Sequence, residues 1–526
     1  MRRNRSHYSI SVSFFLFVIL CFGAAFLLTN CSGKRDASGM NVVLVSIDTL
    51  RPDHLSCYGY ERKTTPTIDR LAEEGALFEC AVSSTTWTLP AHAALFTSLP
   101  DAVHSVLTTS CRLDPQRITI QEIMKENGYA TAGFYSCPFL DPIFGLDQGF
   151  DLYEGCMSTS SVYKDQEFLE LGKKLRELRD TPGSFKDPSI RARVAELRNR
   201  MQEIYEKGEF QARTEVTGDR VSDKAVRWLT EHSREKFFLF LHYFDPHYDF
   251  VPPEPWDRQF DSGYKGSYDG KDFMKNDAVS AAMDKRDLDH IIALYDGEIA
   301  YTDFQLKRVI ETIEDLGLNE NTLIIVTSDH GEEFFEHGMK GHRSNLFDTT
   351  LRIPLIVHLP GVVPAGKKIR SQVRIIDIFP TILDYAGVKE MGEALGESLR
   401  KLVEGSVQDA GLPALLEILV EPKNLYQKGL RTDQWKLIIE GDLLERNQAV
   451  QFYDLKKDPG EQLTLRMDVG SGIAENEDLS KAASMMKQLS AEAMSIEKNL
   501  PKSEGSDPME IPEEIRNRLL SLGYIH

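Results

Sequence analysis

From Met40 onward, short runs of β-branched and aromatic residues alternate with stretches whose apolar positions recur every three or four residues. Residues 41–47 (NVVLVSI) form one such run and predict a buried strand that ends at Asp48. Residues 67–75 predict a helix closed by Gly75, and residues 287–316 a long helix stopped by Gly317. Residues 236–241 (KFFLFL) predict a strand that runs into a His/Asp-rich loop. Residues 321–327 predict another, ending at Asp329 and His330, and residues 351–359 and 373–384 continue the alternation. Strands and helices in alternation predict an α/β fold with helices on both faces of one sheet. Polar residues gather just past the C-terminal ends of three strands, the edge at which open α/β sheets bind ligands.

The pattern changes at both ends and once in the middle. Residues 1–30 hold Arg2, Arg3 and Arg5, then an apolar run from Ile10 to Leu28. That is the layout of a signal peptide or an N-terminal anchor. Leu28 lies three residues before Cys31, a spacing similar to the bacterial lipoprotein box, which makes Cys31 the candidate lipidation site. An uncleaved anchor is the alternative; either reading places the chain outside the cytoplasm, tethered to a membrane. Residues 31–39 read as a linker, 40–390 as the main α/β domain and 157–218 as a charged helical insertion within it. Residues 391–468 read as a C-terminal subdomain, with strands near 435–439 and 451–454, and 469–526 as a polar helical tail.

Composition narrows the class of function. In 526 residues, 41% hydrophobic and 27% charged, a globular chain is expected and a disordered one excluded. The formal net charge of −20 argues against nucleic acid as a partner. Of the seven cysteines, Cys21 and Cys31 belong to the export segment, and none of the rest has a C-x-x-C metal spacing. Cys57, Cys80, Cys111, Cys137 and Cys156 permit at most two intrachain bridges, and most of them are read as buried free thiols.

Three segments place metal-ligand or nucleophile types at strand ends: Asp48-Thr-Leu-Arg-Pro-Asp53, Thr86-Trp-Thr-Leu-Pro-Ala-His92 and Ser328-Asp-His-Gly-Glu332. Each alone reads as a cap, a turn or a loop. Together, and with LHYFDPHYDFVPP, LRIPLIVHLPG, IIDIFPTILDYAGV and FYDLKKDPGE in this order, the chain resembles the sulfatase-like hydrolases of the alkaline phosphatase superfamily. The resemblance runs from about Asn41 to Leu463. It implies a large, mostly parallel sheet sandwiched by helices, followed by a small α+β C-terminal subdomain. It also implies one divalent metal held by Asp48, Thr88, Asp329 and His330, while Thr49 stands where many sulfatases carry a second Asp. One imidazole among oxygens favours manganese or zinc, with calcium as the alternative.

Residue 88 departs from the pattern. Sulfatases carry a Cys or Ser there, oxidised to formylglycine; this chain carries Thr88, and His92 replaces the motif's Arg. Ser136 and Pro138 fall where sulfatases show a Lys and a His. A threonine hydroxyl beside a cation is a competent nucleophile, and its phosphoryl adduct is open to water. A sulfated threonine has no comparable elimination route. His247 and His342 are the candidates to protonate the leaving oxygen, with His92, Lys340 and Arg343 as candidate substrate-binding groups. Asp245, His247 and His342 are a possible second metal set, and His242 and His337 are read as packed or hydrogen-bonded histidines. Glu298 and Asp303 are read as structural.

The expectation is therefore an exported, metal-dependent hydrolase of phosphate or phosphonate esters acting through Thr88 on a small anionic ester or a glycan- or lipid-linked substrate. A sulfuric ester hydrolase, a phospho-group transferase to a glycan or lipid acceptor, and a non-catalytic binding protein are the rivals.

Overall fold

Strand β1 (Asn41–Ile47) is buried along its whole length, with Val42, Val43, Leu44, Val45 and Ile47 withdrawn from water. Each such side chain stabilises the fold by about 1.5–3 kcal/mol relative to exposure. The structure, a computed structural model, describes residues 39–157, 214–389, 392–420, 425–442 and 449–464, with isolated positions between 167 and 200 and from 467 to 487. The proposed export segment with Cys31, most of 157–218 and most of the tail lie outside the described residues. The positions described between 167 and 200 are helical, and so are 484, 485 and 487. Among the described residues no helix is long and apolar enough to cross a membrane.

Seven further strands join β1 in one sheet: β2 (Ala76–Phe78), β3 (Ala130–Tyr135), β4 (Leu152–Gly155), β5 (Phe237–Tyr243), β6 (Thr322–Thr327), β7 (Leu355–His358) and β8 (Lys367–Ile369). Their order is β8-β2-β7-β6-β1-β5-β3-β4. β1 pairs in parallel with β5 and β6, and only β7 runs against its neighbours. The sheet is mostly parallel, as expected. Parallel pairing makes β1, β5 and β6 end on the same edge, so the residues after them converge.

Alternation along the strands assigns the two faces. Val43, Val45 and Ile47 share a core with Leu239, Leu241, Ile324 and Val326. The same core takes in Trp228 and Leu229 of α3 (Gly218–His232) and Leu306 and Val309 of α4 (Lys285–Asp315), while α1 (Pro66–Glu73) contributes Ile68 and Leu71. On the other face lies α2 (Thr88–Thr97), whose Phe96 ring is 4.8 Å from Phe240. All ten residues of α2 are buried, and all but Thr88, His92 and Thr97 are apolar, as suits a helix enclosed by sheet and neighbours. α5 (Ile378–Ala386) packs beside it.

The segment 373–384 divides. Val373–Arg374 pairs with Ala81–Val82, and Asp377 then accepts the Arg374 N–H at 2.8 Å and opens the chain into α5. The C-terminal subdomain is an antiparallel sheet of β9 (Ala414–Val420), β10 (Leu425–Arg431), β11 (Trp435–Asp442), β12 (Ala449–Asp454) and β13 (Met467–Asp468), with Met485 packed on its core. It is locked to the catalytic domain by ion pairs. Fully buried Lys436 lies 2.6 Å from both Asp348 and Glu461, and Arg431 lies 2.7 Å from Asp348.

Candidate active site

Asp48 follows β1 and Asp329 and His330 follow β6, so the parallel pairing of these strands brings all three together. Their ligand atoms lie within 4.8 Å of one another, fully buried. The backbone decides which atoms stay available. Asp329 Oδ1 accepts the N–H groups of Thr49 (3.3 Å) and His330 (2.9 Å), leaving Oδ2 without a partner among the described residues. His330 Nδ1 donates to the Gly331 carbonyl at 3.0 Å, which leaves the Nε2 lone pair directed at the carboxylates, 3.4 Å from Asp329 Oδ2 and 3.7 Å from Asp48 Oδ1. Asp48 Oδ1 and His330 Nε2 are likewise unpartnered among the described residues. Three buried orphans facing one point are the signature of a missing common partner.

Electrostatics agree. Burial pushes the Asp48 carboxyl up to about 7, and burial together with the charge of Asp48 pushes Asp329 up as well. A bound cation reverses both effects, because it favours the ionised carboxylates.

Thr88 is the first residue of α2, and its hydroxyl lies 3.4 Å from Asp48 Oδ2. His92, one turn on, fixes that end of the helix: Nδ1 donates to the Thr88 carbonyl at 2.8 Å, and Nε2 lies 3.0 Å from Ser46 Oγ. Both nitrogens are engaged and the ring is fully buried. The expectation of His92 as a substrate-binding group is therefore corrected; it holds the nucleophile's helix against β1. Thr49 adopts φ 54°, a strained conformation for a β-branched residue, and its hydroxyl turns away to the Pro246 carbonyl at 3.0 Å.

His247 and His342 lie together, with ring centres 4.9 Å apart and His342 4.5 Å from His330. His247 Nδ1 donates to the Tyr248 carbonyl at 2.7 Å. His342 Nδ1 faces Glu332 at 3.2 Å, and its Nε2 has no partner among the described residues. Burial lowers the His247 imidazole to about 3 and carries His342 well below the usual histidine range, so both rest neutral.

Two other expectations are corrected. Asp245 does not join a second metal set with His247 and His342, because its carboxylate accepts from Thr217 N (2.8 Å), Thr217 Oγ1 (3.1 Å) and Gly218 N (3.2 Å) at the start of α3. Lys340 is spent as well: its ammonium donates to the Asn276 and Val279 carbonyls at 3.0 and 2.8 Å. Arg343 does stay at the site, its guanidinium 4.1 Å from the centre of the Trp87 ring beside Thr88.

The Sulfatase family model matches residues 40–388. The chain belongs to the sulfatase family. The model described as N-sulphoglucosamine sulphohydrolase, C-terminal, matches residues 335–488. Arylsulfatase K of Canis lupus familiaris is 25% identical over 468 residues, covering 81% of this chain and 80% of the relative. The multifunctional alkaline phosphatase superfamily protein PehA of Trinickia caryophylli is 27% identical over 501 residues, covering 81% and 91%. Among solved structures, one in complex with its substrate D-glucosamine-2-N,6-O-disulfate aligns with TM-score 0.65 at 18% identity, covering 89% of this chain and 100% of that one. The phosphonate monoester hydrolase of Agrobacterium radiobacter aligns with TM-score 0.64 at 22% identity, covering 86% and 96%.

This sulfatase-family chain is accordingly an ester hydrolase of the sulfatase/alkaline phosphatase superfamily. Sulfatases generally bind a divalent metal, and Asp48, Asp329 and His330 with the Thr88 oxygen fit one here. Sequence reasoning missed Glu332, the partner of His342, although it sits within the quoted Asp-His-Gly-Glu run. It also missed Cys137, a free buried thiol whose ionisation is opposed by burial and by the neighbouring Asp48 charge. A cysteine just past β3 was the available signal. His337 is hydrogen-bonded to Glu333 and stacked on Phe347, as read; His242 is packed edge-on against the His92 ring at 5.0 Å, with neither ring nitrogen hydrogen-bonded among the described residues. Asp303 accepts the N–H groups of Thr67 and Ile68 at the start of α1, a structural role.

Proposed function

We propose that this sulfatase-family hydrolase cleaves phosphate or phosphonate esters with Thr88 as nucleophile. The observation that carries the reading is the unmodified threonine at the start of α2, its hydroxyl against Asp48 within a buried ligand cluster. A divalent ion bound by Asp48, Asp329, His330 and Thr88 supplies positive charge that stabilises the threonine alkoxide and the developing negative charge on phosphorus oxygens. Thr88 Oγ forms the bond to phosphorus while the bond to the leaving oxygen breaks. The proton lost by Thr88 is held at the neutral imidazole of His342 or His247 and passed to that oxygen. Glu332 orients His342 by its contact with Nδ1. Water then attacks phosphorus as the bond to Thr88 Oγ breaks; the same imidazoles take the water's proton and pass it to Oγ, so that phosphate or phosphonate leaves and the Thr88 hydroxyl is regenerated. Arg343, stacked on Trp87, offers the anionic ester a fixed cation.

Sulfuric ester hydrolysis is the second reading, favoured by the match of residues 335–488 to the N-sulphoglucosamine sulphohydrolase C-terminal model. A glycan-linked ester as substrate draws support from the neighbour solved with a sulfated glucosamine. Purified metal-loaded protein assayed with p-nitrophenyl phosphate, its diester, a phenylphosphonate ester and p-nitrophenyl sulfate separates the readings. Turnover of the phosphorus esters, lost by about a thousandfold or more in Thr88→Val, is expected. Efficient sulfate release from unmodified Thr88 protein would overturn it. Export and tethering through residues 1–31 belong to the same proposal; labelled palmitate incorporated by the full chain and absent from Cys31→Ser checks the lipid anchor.

A further inference from the structure

His242 is the penultimate residue of β5, and the parallel register sets it opposite Ser46 of β1. Ser46 and His242 therefore point to the face that carries α2, directly beneath the Asp48 end of β1. The side chain is fully buried, and neither ring nitrogen has a hydrogen-bond partner among the described residues. A neutral imidazole holds one donor and one acceptor, and leaving both unmade in a closed core costs on the order of 1–3 kcal/mol for each. Such a residue persists where something absent from the polypeptide completes it.

What faces it is the metal cluster. His242 Nε2 lies 3.5 Å from Asp48 Oδ2, and His242 forms a second close group with Asp329 and His92. Ligands about 2.1 Å from one shared ion sit about 3–3.5 Å from each other. At this site His330 Nε2 to Asp329 Oδ2 (3.4 Å) and His242 Nε2 to Asp48 Oδ2 (3.5 Å) fall in that range, and His330 Nε2 to Asp48 Oδ1, at 3.7 Å, lies just beyond it. His92 is not equivalent to His242, because its nitrogens are committed to the Thr88 carbonyl and Ser46 Oγ. A separate ion between His92, His242 and Asp329 would have to break those bonds.

We infer that His242 is an additional ligand, through Nε2, of the divalent ion held by Asp48, Asp329 and His330. The inference rests on the metal-dependent reading of the site and adds to it a second imidazole. Two imidazoles with two carboxylates select zinc or another nitrogen-seeking transition ion over calcium or magnesium.

The test is coordination, read without activity. Full-length protein is loaded with Zn2+ or Co2+, and X-ray absorption counts imidazole scattering around the ion. Two imidazoles are expected in wild type and one in His242→Ala, whose Zn2+ affinity in chelator competition falls by at least about tenfold, the lower end of what losing even an outer partner costs. Co2+ absorption in the visible shifts with the lost nitrogen, and the preference for Zn2+ over Ca2+ narrows. One imidazole in wild type, or a folded His242→Ala with wild-type affinity and spectrum, overturns the inference while leaving the metal site intact. Should His242→Ala fail to fold, the wild-type imidazole count alone decides. Wild-type protein that takes up no divalent ion would overturn the metal-dependent reading itself.

Discussion

The guanidinium of Arg343 lies over the indole of Trp87, the residue that precedes the nucleophile, 4.1 Å from its centre. Arg343 is itself held in a left-handed conformation, φ 62°, with its N–H on the Thr86 carbonyl at 3.1 Å. A planar cation stacked in this way presents its edge to an anion with little freedom left to lose. Arg343→Ala is therefore expected to raise KM for a phosphorus ester by about tenfold, roughly 1.4 kcal/mol, with kcat changed less. Lysine at this position should restore only part of the loss, because an ammonium neither stacks nor forks. Steady-state kinetics of both variants check this, and equal KM values in wild type and Arg343→Ala would remove Arg343 from the site.

Removal of the metal should act on activity and stability together. Dialysis against a chelator is expected to abolish turnover and lower Tm, since three buried ligand atoms are left without a partner. Saturation with ion at about a hundred times Kd should restore about 2.7 kcal/mol of stability. Thermal melts at graded metal concentrations read the effect, and a Tm indifferent to divalent ions would contradict it.

The two site imidazoles set a pH dependence. His342 and His247 titrate below the ordinary histidine value of 6.5, His247 at about 3, because burial disfavours their charged forms. Neutral rings accept the first proton, so kcat/KM should stay level down through pH 6.5 and fall only in more acidic solution. The acid limb of a pH–rate profile measures this. A limb centred at 6.5 or above would assign the proton to another group.

Asp348 ties the two domains. Arg431 and Lys436 hold its carboxyl well below the usual carboxylate range despite burial. A carboxyl lowered on folding contributes stability that is fully present above the unfolded value of about 3.8 and is lost as pH falls through the lower folded value. Asp348→Asn takes the carboxylate from buried Arg431 and leaves Lys436 with Glu461 alone, and is expected to cost about 3–5 kcal/mol at pH 7. That cost should shrink as the comparison moves into strong acid, where wild type loses its own carboxylate. Urea unfolding of both proteins at pH 7 and in acid gives the two values.

Much of the site was legible along the chain because a parallel sheet turns sequence into position. A β-branched run followed by Asp48, and another followed by Asp329 and His330, must end on one edge once the strands run the same way. Asp245 was misread because its partners, Thr217 and Gly218, arrive from a distant helix start and draw the carboxylate off the site. Lys340 was misread because the carbonyls that claim it belong to the loop at 276–279. His242 was invisible as a ligand for a different reason. Inside an apolar run it looks like a tolerated core histidine, and only the register between β5 and β1 sets it beneath Asp48.

The enclosure of α2 bears on how the nucleophile moves. Helix ends usually fray, yet Thr88 opens a helix with no solvent face, braced by His92 on β1 and by Phe96 on β5. Its amide protons should exchange with deuterium only when the whole domain opens, on the slowest timescale the protein has. A nucleophile mounted this way arrives with its orientation already settled. Accommodation of different esters then falls to the surrounding loops, and the reacting oxygen stays where it is.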